Sequence, residues 1–305
     1  MASRNELEKA IKELTKATGL HMQITAETPE ETEYALMQVK QLLGAYKEKF
    51  DKNYFLRSLM LGRLQTTEID AYAKKLHISN ETKRVLFLIE TKNVVDDLFI
   101  ELLKNMFPSQ GKNYVVKMDH HRVVLLGPTE ETGDTRYAES MSIAHMIVDT
   151  VGAEAMSSVH VSFSREMNEL SDALECYRDA MMSMRIRNIF YSEQLIMPYD
   201  RLGTGGLLIQ VPQNNCEEFL REVFRGELPE QLDEEMQLTI SKFFQYNLNI
   251  AETSRQLHMH RNTLIYRIEQ LEKKTGLDIR VFEDACVIRI AMMAMNYLNV
   301  LREKK

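Results

Sequence analysis

The chain has 305 residues, 44% hydrophobic and 27% charged, which is the composition of an ordinary globular protein. This length predicts two or three domains. No apolar run approaches the roughly 20 residues of a membrane helix, so no membrane partner is expected. The three cysteines, Cys176, Cys216 and Cys286, are far apart, which excludes a disulfide framework and favours a reducing, cytoplasmic location.

The net charge of −7 conceals an asymmetry along the chain. From Met236 to Lys305 there are 11 Lys and Arg against 7 Asp and Glu, a local charge of +4. The rest of the chain has 27 against 38, a charge of −11. An acidic body with a basic end is typical of proteins that have a nucleic-acid-binding module at that end.

Residues 1–80 are predicted to form an N-terminal helical region. A first helix spans Asn5–Thr18, and Thr28, Pro29 and Glu31 form a strong start signal for a second helix, Pro29–Leu61. A third, short helix covers Thr67–Leu76. Within the long helix, Leu36, Leu43 and Phe50 recur every seven residues, which is typical of a helix–helix seam. Dimerisation through this stripe and packing within its own domain are equally compatible with the pattern.

Residues 81–203 alternate between strand and helix patterns. The predicted strands are Val85–Ile89, Tyr114–Met118, Arg122–Gly127 and Val159–Phe163, and the predicted helices are Val94–Phe107, Thr135–Val151 and Leu170–Ile186. This βαββαβ order predicts a ferredoxin-like α+β sandwich. The segment Gly203–Gly206 lacks the Lys-Ser/Thr ending of a phosphate loop, so we interpret it as the hinge to the next domain.

Residues 204–305 are predicted to form an all-α domain. Its helices are Asn215–Phe224, Asp233–Tyr246, Ile250–Leu257, Arg261–Lys274 and Phe282–Leu301. The three residues His258–His260 connect two of them, and two short helices around such a turn are a helix-turn-helix. Leu264, Ile268 and Leu271 fall on one face of the second helix. We expect Ile250, Ala251 and Leu257 to pack against that face.

The opposite face of the second helix has hydrogen-bonding side chains and no carboxylate, with Glu269 at its margin. Such residues suit base edges and phosphates in a double-stranded DNA operator. The alternative is an ordinary helical hairpin with a solvated polar face. The candidate DNA-binding residues are Arg255, His258, His260, Arg261, Asn262, Thr263, Tyr266, Arg267 and Gln270. His260 or Asn262 is also placed to help the second helix start.

The run His260–Ile268, followed by Lys274–Asp278, closely resembles the signature of the PucR/CdaR-type transcriptional regulators. The resemblance implies a C-terminal helix-turn-helix similar to that of Fis and a degenerate GGDEF-like domain before it. It implies a sequence-specific DNA-binding regulator that is controlled by a small-molecule effector. Because a helix-turn-helix protein normally reads two half-sites as a dimer, we expect a homodimer or higher oligomer. The segment before the first strand is too short for the family's sugar-diacid sensor, so the effector is not predicted.

No enzymatic activity, cofactor or metal is predicted. In active diguanylate cyclases the Gly-Gly-Asp/Glu-Glu-Phe motif lies between the middle strands, where this chain has Met118–Arg122 instead. Asp119-His120-His121 spells the short motif of DHH phosphoesterases, but the further Asp and His motifs of those enzymes are not seen. Two alternatives to a regulator stay open: a nucleotide-turnover enzyme that uses the GGDEF-like domain, and a ligand-sensing adaptor that does not bind DNA.

Overall fold

The computed structural model describes residues 2–18, 22–24, 26, 28–49, 51–154, 158–226 and 232–302. The chain divides into two compact units. The first, here called the sheet unit, comprises Met1–Met184 and Leu195–Asp200, and the second, the helical unit, comprises Arg185–Gln194 and Arg201–Lys305. The predicted α+β class is confirmed.

The sheet unit is built on five strands. They are β1 (Arg84–Thr91), β2 (Tyr114–Lys117), β3 (Arg122–Pro128), β4 (Val159–Met167) and β5 (Ile196–Pro198), in the spatial order β2-β3-β1-β4-β5. Neighbours among the first four strands are antiparallel, which is the predicted ferredoxin-like arrangement. The short strand β5 was not predicted, and it extends the sheet by pairing parallel to β4.

Helices cover both faces of this sheet. The helices are α3 (Lys52–Met60), α4 (Thr66–Leu76), α5 (Asp97–Met106), α6 (Gly133–Glu154) and α7 (Ala173–Phe190), with short 3₁₀ turns at Ser109–Gly111, Leu170–Asp172 and Tyr199–Arg201. Side chains of β1 alternate between the faces, so that Phe87 packs with α5 and α6 while Leu88 packs with α3, α4 and α7. Burial on both sides explains the continuous apolar run in β1.

Two N-terminal helices, α1 (Ala2–Thr18) and α2 (Pro29–Lys49), form a hairpin with an apolar core of its own. The predicted capping box is present, with reciprocal hydrogen bonds between Thr28 and Glu31. The single helix predicted over Pro29–Leu61 is wrong, because α2 ends at Lys49 and α3 begins at Lys52. Asp51 caps α3 by accepting hydrogen bonds from two backbone N–H groups, a role that competes with a place inside a helix.

The described part of the heptad stripe packs inside the sheet unit. Leu36 and Leu43 are 8% and 7% exposed and lie with Val39 in one cluster with residues of α1, among them Leu7 and Leu14. Phe50, the third residue of the stripe, lies outside the described residues. Of the two alternatives, the described residues therefore favour packing within the domain.

In its described residues, the helical unit contains the last turns of α7 and six further helices. These are α8 (Gly203–Leu208), α9 (Gln213–Val223), α10 (Glu234–Gln245), α11 (Ile250–Gln256), α12 (Arg261–Thr275) and α13 (Phe282–Arg302). Gly203–Gly206, interpreted from the sequence as the hinge between the domains, is helical and belongs to α8. A Cβ on Gly205 would lie 2.9 Å from both Ile186 and Phe190, so glycine permits a close approach of α8 to α7.

By length and composition, α13 is apolar enough to cross a membrane, which differs from the expectation that no segment reaches that length. Within its most apolar window, 44% is buried inside the protein, and the core helix of a globular unit passes the same test. Ile288, Ala291 and Leu298 of α13 are at most 2% exposed and belong to the apolar core of the helical unit. The helix therefore has the packing of a core element.

Candidate nucleic-acid interface

The first helix of the predicted helix-turn-helix, α11, is held at both ends by local hydrogen bonds. Asn249 caps its N-terminus, where its side-chain oxygen accepts from the Glu252 N–H at 3.1 Å. The residues that α11 buries are Thr253 and Ser254. The expectation that Ala251 faces α12 is wrong, because Ala251 is exposed. A helix of seven residues leaves too few apolar positions to fix its orientation from sequence.

The turn between α11 and α12 depends on a left-handed backbone conformation at His258. Its φ is 51°, its N–H donates to the Arg255 carbonyl at 3.2 Å, and the next N–H, of Met259, donates to the Ser254 carbonyl at 3.0 Å. These two bonds define a Schellman motif. Histidine is one of the few non-glycine residues enriched in this conformation. His258 thus sets the direction in which α12 leaves the turn.

His260 starts α12. Its backbone is extended and its Nδ1 accepts a hydrogen bond from the Asn262 N–H at 3.2 Å, which makes it the N-cap residue. The prediction that one of these two residues helps the helix start is confirmed for His260. On the inner face, Leu264, Ile268 and Leu271 are 0%, 3% and 1% exposed, as the periodicity predicts.

The outer face of α12 is open to solvent. Arg261, Asn262 and Thr263 are exposed, Tyr266 is 59% exposed, and Gln270 is partly exposed. The first three of these residues lie in the first turn, which is the part of a recognition helix that contacts base edges. The structure therefore brings the central candidates together on one accessible surface.

Two of the candidate arginines, Arg255 and Arg267, have different surroundings. Arg255 is 73% exposed and pairs with Glu252 on its own helix. Arg267 is only 22% exposed, because its guanidinium pairs with Glu235 of α10 and donates to Thr239 Oγ1 at 3.0 Å. Arg267 therefore holds α12 against α10. Sequence alone gave no signal for these partners, which lie about thirty positions upstream.

The connections on either side of the helix-turn-helix are also specified by local geometry. Between α10 and α11, Asn247 and Leu248 both have left-handed backbones, with φ of 53° and 60°. After α12, the Asp278 carboxylate accepts from the Arg280 backbone N–H at 2.9 Å and from its Nε at 2.7 Å. These bonds from Arg280 hold the pKa of Asp278 below its usual value. The asparagine at position 247 is a turn signal that sequence reasoning left unused.

In the sheet unit, the turn Met118–Arg122 joins β2 to β3. Asp119 accepts from the His121 N–H at 2.9 Å and pairs with Arg122 Nε at 2.8 Å. The His120 carbonyl accepts from the Val95 N–H at 2.7 Å. Among the described residues, no group of three or more His, Cys, Asp or Glu side chains is arranged for a metal ion.

Comparisons with known proteins match both units. Residues 238–294 match the model of the PucR C-terminal helix-turn-helix domain, and residues 61–186 match that of the GGDEF-like domain. The fold and the interface thus define a helix-turn-helix protein with a GGDEF-like domain.

Curated relatives support the same assignment. The purine catabolism regulatory protein of Bacillus subtilis is 23% identical over 178 residues, 58% of this chain and 33% of that protein. The proline-responsive transcriptional activator PutR of the same species is 25% identical, over 60% of this chain and 46% of its own. The carbohydrate diacid regulator of Escherichia coli is 37% identical over 54 residues, 18% of this chain and 14% of that protein.

The chain spans less than half the length of each of these relatives. Their names describe regulators and not enzymes. With both domain models matched, the resemblance to the PucR/CdaR-type transcriptional regulators predicted from the sequence is confirmed.

Proposed function

We propose that this protein is a sequence-specific DNA-binding transcription regulator, with residues 204–305 as its DNA-binding domain and α12 as its recognition helix. The observation that supports this most directly is the division of α12 into two faces. Leu264, Ile268 and Leu271 anchor the helix in the core, while Asn262 and Thr263 stand exposed in its first turn. An anchored helix with an exposed polar N-terminal half is the arrangement that reads base edges in the major groove.

The contacts divide into three classes. Asn262, Thr263 and Tyr266 contact base edges, with Gln270 at the far end of the same surface. Arg255 and Arg261, both exposed, contact phosphates and position the protein without reading sequence. Arg267 acts indirectly, since its pairing with Glu235 sets the position of α12.

Selection from a random DNA pool tests this proposal, since it finds the preferred sequence directly. The purified chain is expected to enrich one sequence and to bind it more tightly than random DNA by about 10³-fold or more at physiological salt. Fluorescence anisotropy at two salt concentrations measures both affinities. Enrichment of no sequence, with equal affinity for every duplex, would contradict sequence-specific regulation. Absence of any DNA binding would favour the ligand-sensing adaptor.

We further propose that the regulator acts in the cytoplasm as a homodimer under the control of a small metabolite. Helix-turn-helix proteins read two half-sites about one helical turn apart as dimers. The names of the relatives refer to purine catabolism, proline and carbohydrate diacids, and by analogy a small molecule controls this chain as well. Light scattering measures the oligomer, and a selected site without two-fold symmetry would contradict the paired arrangement.

The GGDEF-like domain, residues 81–203, is proposed to be catalytically silent. The turn Met118–Arg122 has neither the glycines that let a nucleotide approach the backbone nor the acidic pair of the cyclase motif. Incubation of the chain with GTP and Mg²⁺ or Mn²⁺, followed by chromatography of the nucleotides, tests this. Formation of a cyclic dinucleotide would establish the enzyme alternative.

A further inference from the structure

A cleft of about 550 Å³ lies within the helical unit, away from the exposed face of α12. It is formed by α10, α13 and the last turn of α7 with the residues just after that turn. This volume falls in the range of small-molecule sites, roughly 300–1,000 Å³. None of the residues proposed to contact DNA lines the cleft.

Two half-buried cations line the cleft. The guanidinium carbon of Arg289 lies 5.3 Å from the centre of the Phe244 ring, which fixes the side chain by a cation–π contact. Over the described ranges, Arg289 has no carboxylate within ion-pair distance. Lys242 donates to Gln245 Oε1 at 2.8 Å. Among the described residues that line the cleft, one carboxylate, that of Glu193, lies at the exposed rim.

Part of the remaining lining is apolar. Leu238 lines the cleft, and its residue is 51% exposed instead of buried in the core of the unit. Met292 and Phe244 add to this surface. Two cations beside an apolar wall suit a ligand that has a negative group at one end and an apolar body at the other.

We propose that this cleft binds a small organic anion, a carboxylate or a phosphate on an apolar body, with Arg289 and Lys242 holding the negative group. Helix α10 connects the cleft to the recognition helix. Leu238 and Lys242 face the cleft, while Glu235 and Thr239 of the same helix hold Arg267 of α12. A ligand that shifts α10 therefore changes the position of α12, and this second step rests on the proposed DNA-binding function.

The site itself is tested on the full chain without DNA. Benzoate and phenyl phosphate are the anionic probes, benzamide is the neutral control, and binding is followed by ligand-observed NMR up to millimolar concentration. At least one anion is expected to bind saturably while benzamide does not, and the preferred anion distinguishes carboxylate from phosphate. Saturable binding of benzamide as strong as that of benzoate, or no binding of either anion, would overturn the proposal.

Charge variants locate the site. Arg289→Gln and Lys242→Gln are each expected to weaken binding of the preferred anion about tenfold, the effect of one charge-assisted hydrogen bond. Glu193→Gln is expected to strengthen it. Arg302→Gln, on the same helix but outside the cleft, is the matched control and should bind like the parent. Because Lys242 is only partly buried, its variant keeps the test valid if Arg289→Gln fails to fold. Unchanged binding in Lys242→Gln would overturn the assignment.

The coupling to DNA is measured separately, as the affinity for the selected sequence with and without the preferred anion. A several-fold change that disappears in Lys242→Gln supports control through α10. Anion binding with no change in DNA affinity would overturn the coupling and leave the site standing. DNA binding without any anion binding would overturn the site and leave the proposed function standing.

Discussion

Two turns that contain histidines, one in each unit, both use their polar groups to hold the backbone. In the turn Met118–Arg122 of the sheet unit, the Asp119 carboxylate is engaged by the His121 N–H and by Arg122. In the turn Leu257–His260 of the helical unit, His258 and His260 also serve the backbone, as a left-handed residue and as an N-cap. The two turns differ in the element that each one starts. Strand β3 is buried, whereas α12 begins with three exposed polar residues.

A short sequence motif therefore does not establish a function until the hydrogen-bond partners of its polar atoms are known. Asp119-His120-His121 matches a catalytic motif in letters, yet its carboxylate holds its own hairpin. The turn before α12 also uses its own groups to stabilise the backbone, and the side chains of Asn262 and Thr263 that follow it are exposed. Substitutions in the helical unit and in the hairpin of the sheet unit test this difference.

The largest effect is expected from the buried face of α12. Leu264→Ala removes a fully buried side chain from the core of the helical unit and should lower the free energy of unfolding by about 2–5 kcal/mol. Urea denaturation followed by circular dichroism measures the change. A loss below that range would show that α12 is not anchored as the structure indicates.

The next largest effect is expected on DNA affinity from the exposed face. Thr263→Ala should cost about 1–3 kcal/mol of binding free energy on the selected sequence and much less on random DNA. Its unfolding free energy should stay within about 0.5 kcal/mol of the parent, since the side chain is exposed. Equal weakening on both duplexes would indicate that Thr263 does not contact a base.

Two arginines provide a matched pair with a smaller expected effect. Arg255→Ala should reduce the salt dependence of DNA binding by about one unit of slope on any sequence, with stability unchanged. Arg267→Ala should instead lower the unfolding free energy by about 1 kcal/mol, because it breaks hydrogen bonds to α10. If the two variants exchange these behaviours, the roles assigned to the arginines are wrong.

The smallest effect is expected at the hairpin of the sheet unit. Asp119→Ala removes a partly exposed ion pair and a hydrogen bond to the backbone, so the unfolding free energy should fall by about 0.5–1.5 kcal/mol. Affinity for the selected DNA should not change. A loss of DNA affinity in a variant that is folded would show that this turn contributes more than local structure.

Sequence reasoning succeeded where a pattern repeats over many residues. The apolar face of α12 and the alternation in the sheet were predicted because Leu264, Ile268 and Leu271, like the strand residues, recur with the period of their element. It failed where a single residue determines where a helix ends or which way it faces. The break at Asp51 and the orientation of Ala251 depend on a single cap and on a helix of seven residues.

The sequence also did not predict side-chain partners that lie far apart along the chain. Glu235 and Thr239 meet Arg267 only because α10 and α12 pack together, and no local signal marks them. Strand β5 has three residues, too few for a period to be seen. The candidate DNA-binding residues were predicted as a set. Only the contacts of Arg267 with α10 show that it differs from the exposed members of that set.

The edges of the sheet have a consequence for solubility. The outer strands are β2, with four residues, and β5, with three, the last of which is Pro198. Proline has no backbone N–H to offer, and strands this short expose few unpaired groups. Edge-to-edge pairing between molecules, the common route to aggregation in β-proteins, is therefore discouraged at both edges of the sheet.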